Sequence, residues 1–279
     1  MSNLAKSVSK STQTFHFMTP EQNSDSIMLT VLVPVRNEGV NIKIMLKVLN
    51  GVLEVPHEVL IVYDSPEDDS IEVTNNLKDQ FPNTRLIHNQ LGLGVVNALR
   101  AGINAAKGKY ILVFAADEVG PVLAIDDMLT LMDEGCDLVS CTRYAHGGRR
   151  LGGSKIGHML SWLANKIFLC LFDSALSDCT TGIKMFRKSL FNEIKLESSP
   201  VGWAVAFELS IKAQLQGYRL GEVPVISIDR LFGGESTFKL GPWFVEYLKW
   251  FVWGLKNLRK GSSKKSAPAR VCLPNYYGN

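Results

Sequence analysis

Short apolar runs rich in β-branched residues alternate along this chain with longer stretches in which apolar residues recur every three or four positions. Met28 to Val35 (MLTVLVPV) predicts a first strand, and Ile44, Met45, Val48 and Leu49 then share one helical face behind Asn37, the expected helix cap. Glu58 to Tyr63 (EVLIVY) predicts a second strand, stopped by DSPEDDS, where Asp, Ser and Pro favour a turn and a helix start; Leu77 is expected in that helix. Arg85 to His88 is the third strand and leads through the glycine-containing segment NQLGLG into a third helix. Tyr110 to Ala115 (YILVFA), the most apolar run, is the fourth. A helix near Ile125 to Met132 and a fifth strand over Asp137 to Tyr144 follow. Strands alternating with helices in this way predict βαβ units and a mostly parallel α/β sheet flanked by helices.

Composition narrows the picture. A chain of 279 residues, 46% hydrophobic, suits one large core with extensions: a flexible N-terminal arm over 1–26, a catalytic domain over 27–240, and an amphipathic helix with a basic tail over 241–279. The 30 basic and 27 acidic residues nearly cancel to +3, which argues against nucleic acid as a partner. Five scattered cysteines show neither metal-ligand spacing nor a disulfide framework, and the polar first residues lack the apolar core of a secretory signal, so a cytoplasmic setting is expected. There is no run of 18 apolar residues to span a bilayer. Two stretches, Lys155 to Phe172 and Gly241 to Lys260, instead mix aromatic and aliphatic bulk with polar groups, as interfacial helices do and as core-facing helices also can. In the second, Trp243, Trp250 and Trp253 lie among Lys249, Lys256, Arg259 and Lys260, ahead of Lys264, Lys265 and Arg270. That favours a peripheral position on a membrane surface.

In open α/β sheets ligands bind beyond the carboxyl ends of the strands. Charged groups collect there: Arg36, Asn37 and Glu38 after the first strand, Asp64 after the second, Asp117 and Glu118 after the fourth, and Arg143 after the fifth. Unpaired charge near a core is costly, so a phosphate-bearing ligand accounts for the pattern better than a purely structural role. Asp64 reads as a ligand to a base or ribose, or as a helix cap. Asp117 and Glu118 are the acidic pair placed to hold a divalent cation against diphosphate oxygens. In LGLG (Leu91 to Gly94) Asn97 replaces the third glycine of the dinucleotide fingerprint, which disfavours a dehydrogenase.

Between about Leu29 and Leu240 several motifs then stand in a telling order: VPVRNE (Val33 to Glu38), IVYDSPEDDS (Ile61 to Ser70), LGLG, FAADE, TRY (Thr142 to Tyr144), SWLAN (Ser161 to Asn165), DCTTGIKMF (Asp178 to Phe186), and EVPV followed by DRLFGGESTFK (Asp229 to Lys239). In this the chain resembles inverting glycosyltransferases of the Rossmann-like GT-A fold, in particular the dolichyl-phosphate mannose synthase and polyprenyl-phosphate glycosyltransferase group. The resemblance implies transfer of a sugar from a GDP- or UDP-linked donor to a polyprenyl phosphate at the membrane surface, with Mn2+ or Mg2+ as cofactor. It places Pro34, Arg36, Glu38, Asp64, Ala116, Asp117 and Arg143 around the donor. Arg143, Arg230 and Lys239 fall at phosphate-binding positions, Asp117 at the metal, where the reading of the acidic pair adds Glu118, and Asp117, Asp178 and Arg230 in the catalytic set.

The departures are equally specific. Ala115 stands for the first acid of the D-x-D motif, Tyr63 for the first acid after strand two, and Gly157 near a position that is often basic, where Lys155 or His158 is the nearest substitute. A phosphate acceptor is already anionic, whereas a hydroxyl acceptor needs a base, for which Asp178 or Glu208 is available. Glu208, on a helical pattern, also reads as the partner of a buried base. Three alternatives stay open: a soluble or polysaccharide acceptor, a catalytically weakened nucleotide-sugar-binding protein, and a nucleotidyltransferase of similar topology, whose glycine-rich loop VPVRNEG supplies poorly.

Overall fold

The structure, a computed structural model, describes residues 26–152, 155–171, 173–228, 240–258 and 269–270. The expected arm, except for Ser26, lies outside the described residues, as do Arg230 and Lys239 and most of the basic tail.

At the centre is β1 (Leu29–Pro34), parallel to β2 (His57–Tyr63) on one side and β4 (Tyr110–Val113) on the other, with β3 (Thr84–His88) beyond β2. Farther across, β5 (Leu138–Thr142) runs parallel to β8 (Leu220–Pro224), which carries β10 (Ala269–Arg270) at its edge. Between the two groups lies β7 (Lys184–Arg187), antiparallel to both β4 and β5. Among the described residues the order is therefore β10-β8-β5-β7-β4-β1-β2-β3, and β6 (Arg149–Leu151) and β9 (Ile226–Ile228) form a separate parallel ribbon.

Helices cover both faces, which is why the strands read as continuous apolar runs. Successive β1 residues point to opposite sides. Val31 and Val33 join Ile42, Met45 and Leu49 of α1 (Gly39–Val52) and Met128 and Met132 of α4 (Ile125–Asp133). Leu32 joins Leu99 and Ile103 of α3 (Val95–Ala105), and that same core takes in Phe168 of α5 (Lys155–Leu171), Phe207 of α7 (Ala204–Leu215) and Trp250 of α8 (Leu240–Leu258). The Phe168 ring meets those of Phe207 and Phe251 edge-on at 5.1 and 5.2 Å, clamping α5, α7 and α8 together.

Several expected ends shift. Strand four ends at Val113, although the buried Phe114 still donates its amide to Leu32 O at 2.9 Å, strand five ends at Thr142, and Leu77 caps the end of α2 (Asp69–Asn76) rather than lying inside it. Asn37 does not cap α1. It sits at φ 56°, and the amides of Asn37, Glu38 and Gly39 donate to Asp68 Oδ2 (3.1 Å), Ser70 Oγ (3.0 Å) and Asp69 Oδ1 (2.9 Å). The Gly39 amide at the first position of α1, and the two amides before it, are thus satisfied by the start of α2, where carboxylates also meet the positive end of the helix.

Candidate active site

The carboxyl ends of β1, β2 and β4 are adjacent, and they bring Pro34, Arg36, Glu38, Asp64, Ala116 and Asp117 to the same end of the sheet. Arg36 is exposed; Pro34, Glu38, Asp64 and Asp117 are half-buried; Ala116 is buried beneath the turn. Asp64 Oδ2 accepts the amide of Gly94 at 2.9 Å, fastening the LGLG loop to the end of β2. Asn89, itself buried, shapes that loop by donating to Gly92 O (2.7 Å) and accepting the Leu91 amide (2.9 Å). Tyr63 stacks on His88, centroids 5.0 Å apart, so the position that lacks an acid presents a flat aromatic pair instead.

After β4 the chain turns through Ala115 to Glu118, with the Glu118 amide donating to Ala115 O at 3.4 Å. Glu118 Oε2 accepts the hydroxyl of Ser227 on β9 at 3.0 Å, which ties the turn to the ribbon. Among the described residues no three His, Cys, Asp or Glu side chains gather as a metal cage. The donor set suits a divalent cation held by the Asp117 carboxylate together with oxygens of a bound diphosphate, since Mg2+ is commonly held by one or two carboxylates plus substrate phosphates.

Arg143 and Asp178 occupy a different setting from the one expected. Asp178 is completely buried, and its Oδ2 accepts from Arg143 Nε at 2.7 Å and from the Arg143 amide at 3.2 Å. Its Oδ1 accepts from the guanidinium (3.1 Å), from Asn165 Nδ2 (3.2 Å), from the Thr180 hydroxyl (2.9 Å) and from the amides of Thr180 and Thr181 (both 3.2 Å). Burial by itself would push the Asp178 carboxyl up, but the fork of Arg143 outweighs it and holds the group below its ordinary value. A carboxylate with every lone pair engaged and no exposed surface is a positioning group. Arg143 is correspondingly committed to it: its side chain is only 12% exposed, and its second terminal contact is the Thr180 hydroxyl at 3.0 Å.

Asn165, on α5, is the keystone that the sequence did not mark. Besides Asp178 it donates to Thr180 Oγ1 (2.9 Å) and accepts the Cys179 amide (2.9 Å). Around it Ser161 links Tyr144 (3.0 Å) to Thr180 (2.8 Å). Below, the fully buried Lys184 donates to Ser140 Oγ at 2.7 Å, and burial lowers its pKa. Glu222 on β8 accepts from Ser177 N, Ser177 Oγ and Asp178 N through Oε1, and burial pushes its carboxyl up. Cys179 stays a neutral thiol, with burial raising its pKa to about 12. Glu208 is likewise fully buried, paired with Lys212 at 2.6 Å and accepting the amides of Glu197 and Ser198, in line with its reading as the partner of a buried base.

Comparison with known proteins bears on the family and the fold. Residues 30–195 match the profile described as "Glycosyl transferase family 2". The chain is 24% identical over 229 residues to the dolichol-phosphate mannosyltransferase of Pyrococcus furiosus, covering 79% of this chain and 62% of that protein. It is 30% identical over 114 residues to the uncharacterized glycosyltransferase YibD of Escherichia coli, 40% of this chain and 33% of that one. The chain thus spans under two thirds of the length of these curated relatives. Among solved structures, glucosyl-3-phosphoglycerate synthase from Mycobacterium tuberculosis, in complex with Mn2+, UDP and glucosyl-3-phosphoglycerate, superposes with a TM-score of 0.62 at 15% identity, over 82% of this chain and 80% of that one. The same enzyme with Mg2+ and UDP gives 0.60 at 14%, over 82% and 80%. At that identity the likeness establishes the fold, an α/β GT-A architecture.

Proposed function

Because the chain belongs to glycosyl transferase family 2, we propose that it is an inverting glycosyltransferase that moves a sugar from a nucleoside-diphosphate donor to a polyprenyl phosphate at a membrane surface. One observation supports the donor side: Arg36, Glu38, Asp64 and Asp117 all stand just beyond the carboxyl ends of three adjacent parallel strands. Arg36 and Glu38 flank the donor, Asp64 holds the LGLG loop beside it, and Asp117 faces the diphosphate. A divalent cation, when bound, neutralises charge on the departing nucleoside diphosphate, and Asp117 is the carboxylate that would hold it. Glu118, expected beside it, contributes by anchoring the turn to Ser227.

The acceptor oxygen attacks the anomeric carbon as the nucleoside diphosphate leaves from the opposite face. Asp178 and Glu208, the two carboxylates available as bases, are both fully buried and fully engaged. This favours an acceptor that is already anionic over a neutral hydroxyl. Arg143, locked to Asp178, fixes the wall of the site, while Arg230 and Lys239 remain the residues assigned to the acceptor phosphate.

The membrane reading is supported by the outer faces of α5 and α8. No helix among the described residues is long and apolar enough to cross a bilayer. Yet Met159, Trp162 and Leu163 on α5 and Phe244, Val245, Leu248 and Val252 on α8 are exposed, with Lys166, Lys249 and Lys256 among them. Apolar side chains interspersed with lysine suit the headgroup boundary of an anionic leaflet. The free thiols of Cys136, Cys141, Cys170 and Cys179 support its cytoplasmic face.

The test is incubation with labelled nucleotide sugars, polyprenyl phosphate or phosphoglycerate, and manganese or chelator, followed by partition into organic and aqueous phases. Label in the organic phase is the expected result. Label confined to a water-soluble product would replace the lipid acceptor with a soluble one, and nucleotide binding without transfer would leave a sugar-nucleotide-binding protein.

A further inference from the structure

The segment between α6 (Lys188–Glu193) and α7 runs as a strap that touches α3, the LGLG loop, α7 and α8. At its start, Leu196 O accepts from Arg100 of α3 at 3.0 Å, and the amides of Glu197 and Ser198 donate to the buried Glu208. In its middle, Pro200 presses against the LGLG loop: a Cβ on Gly94 would lie 2.2 Å from Pro200 O, and Gly94 sits at φ +105°. At its end, a Cβ on Gly182, four residues after Asp178, would meet the Trp203 ring at 2.6 Å. The strap therefore abuts the loop fastened to Asp64 and the loop of Asp178 at once.

Its remaining hold is α8. Glu246, only 7% exposed, accepts the Ser199 amide at 2.9 Å, and the same oxygen accepts Trp250 Nε1 at 2.9 Å. Three residues on, Gly202 adopts φ +58° beneath Trp243 of α8, where a Cβ would stand 2.6 Å from the indole. The face of α8 that grips the strap also carries the buried Trp250, whereas Phe244, Val245, Leu248 and Val252 are exposed.

We infer that Glu246 is a positioning residue for the donor site: through Ser199 and Pro200 it holds the LGLG loop against Asp64, so that the seating of α8 on a lipid surface sets how well the nucleotide is held. The regulatory half rests on the function proposed above; the mechanical half rests on contacts alone. The path is short and contiguous: Glu246 to Ser199 by a hydrogen bond, Pro200 to Gly94 by packing, and Gly94 to Asp64 by a hydrogen bond.

The experiment compares the full chain with Glu246→Leu and Glu246→Gln. Leucine keeps the bulk and loses the acceptor, whereas glutamine retains a carbonyl oxygen for Ser199. Amide hydrogen exchange is read over 89–95 and 196–203, and UDP and GDP affinities are measured with and without phosphatidylglycerol-containing phosphatidylcholine vesicles. In Glu246→Leu, exchange should quicken in both segments, nucleotide affinity should fall about three- to tenfold, and Glu246→Gln should restore both. In the wild type, vesicles should slow exchange over 89–95 and tighten nucleotide binding, and Glu246→Leu should still bind vesicles but lose that response. Quickened exchange confined to 196–203, with 89–95 unchanged, overturns the positioning role. Vesicle binding without any change at 89–95 overturns the coupling. A wild-type chain that ignores both vesicles and nucleotides would instead sink the proposed function, and the exchange data would still decide whether Glu246 positions the loop.

Discussion

Replacing Asp178 by Asn isolates what the buried pair does. The substitution keeps shape and one carbonyl acceptor but removes the charge facing Arg143, whose Nε lies 2.7 Å away in a pocket that leaves the guanidinium side chain 12% exposed. Breaking one partner of such a pair costs about 3–5 kcal/mol, because the other charge is left buried and uncompensated. For a domain of this size each kcal/mol is worth about 2–4 °C, so the melting midpoint should fall by roughly 6–20 °C. The sign of the pH dependence follows from the lowered pKa of Asp178. Its contribution is fully present above the ordinary carboxylate value of about 3.9, and is lost only as pH falls through the lower folded value, so the whole cost appears at neutral pH. Denaturant unfolding of Asp178→Asn, Arg143→Met and the double variant gives the coupling. The double variant should lose less than the sum, since removing Arg143 removes the stranded charge. A loss below about 1 kcal/mol for Asp178→Asn, or strict additivity, would refute the positioning role. Intact stability with abolished transfer would return Asp178 to the role of base.

Asp117→Asn should abolish transfer measured as label entering lipid, and Ala115→Asp should sharpen manganese dependence by adding a second carboxylate to the turn; wild-type activity in Asp117→Asn removes the turn from the mechanism. Glu222, its carboxyl pushed up by burial, binds its proton more tightly folded than unfolded, so stability should decline as pH rises from the ordinary glutamate value of about 4.3 toward the folded one. Urea midpoints across that window should fall in the wild type and run flatter in Glu222→Gln. Val245→Asp, on the exposed face of α8, should weaken sedimentation with anionic vesicles several-fold while leaving UDP and GDP affinity in solution unchanged.

The strands β1, β2, β4 and β5 were legible because a parallel strand covered on both faces is a run of apolar residues, and the positions of Asp64 and Asp117 just beyond strand ends were legible with them. β7 was not. KMFR begins with a lysine, and nothing local says that Lys184 is buried against Ser140, forty-four positions earlier. Asn37 looked like a cap because it precedes a helix, but Glu38 takes that position, and the amides of 37–39 are accepted by Asp68 to Ser70, thirty-odd residues on. Arg143 and Asp178 were both marked as site residues, yet their partnership spans thirty-five positions, and sequence shows charges without their partners. Asn165 lay inside a quoted motif with no role attached, since an amide declares its hydrogen bonds only once its neighbours are in place.

The antiparallel β7 also constrains the order in which the chain can be completed during synthesis. By the time β4 emerges, β3, β2, β1 and β4 can already pair, leaving one edge of β4 bare. β5 cannot cover that edge when it follows, because its neighbours are β7 and β8 rather than β4. Until residue 187 has left the ribosome, two apolar edges therefore wait for the same four residues. An unpaired edge of that kind invites intermolecular pairing, and the 143–183 connection is where a delay in translation or an insertion would lengthen the exposure.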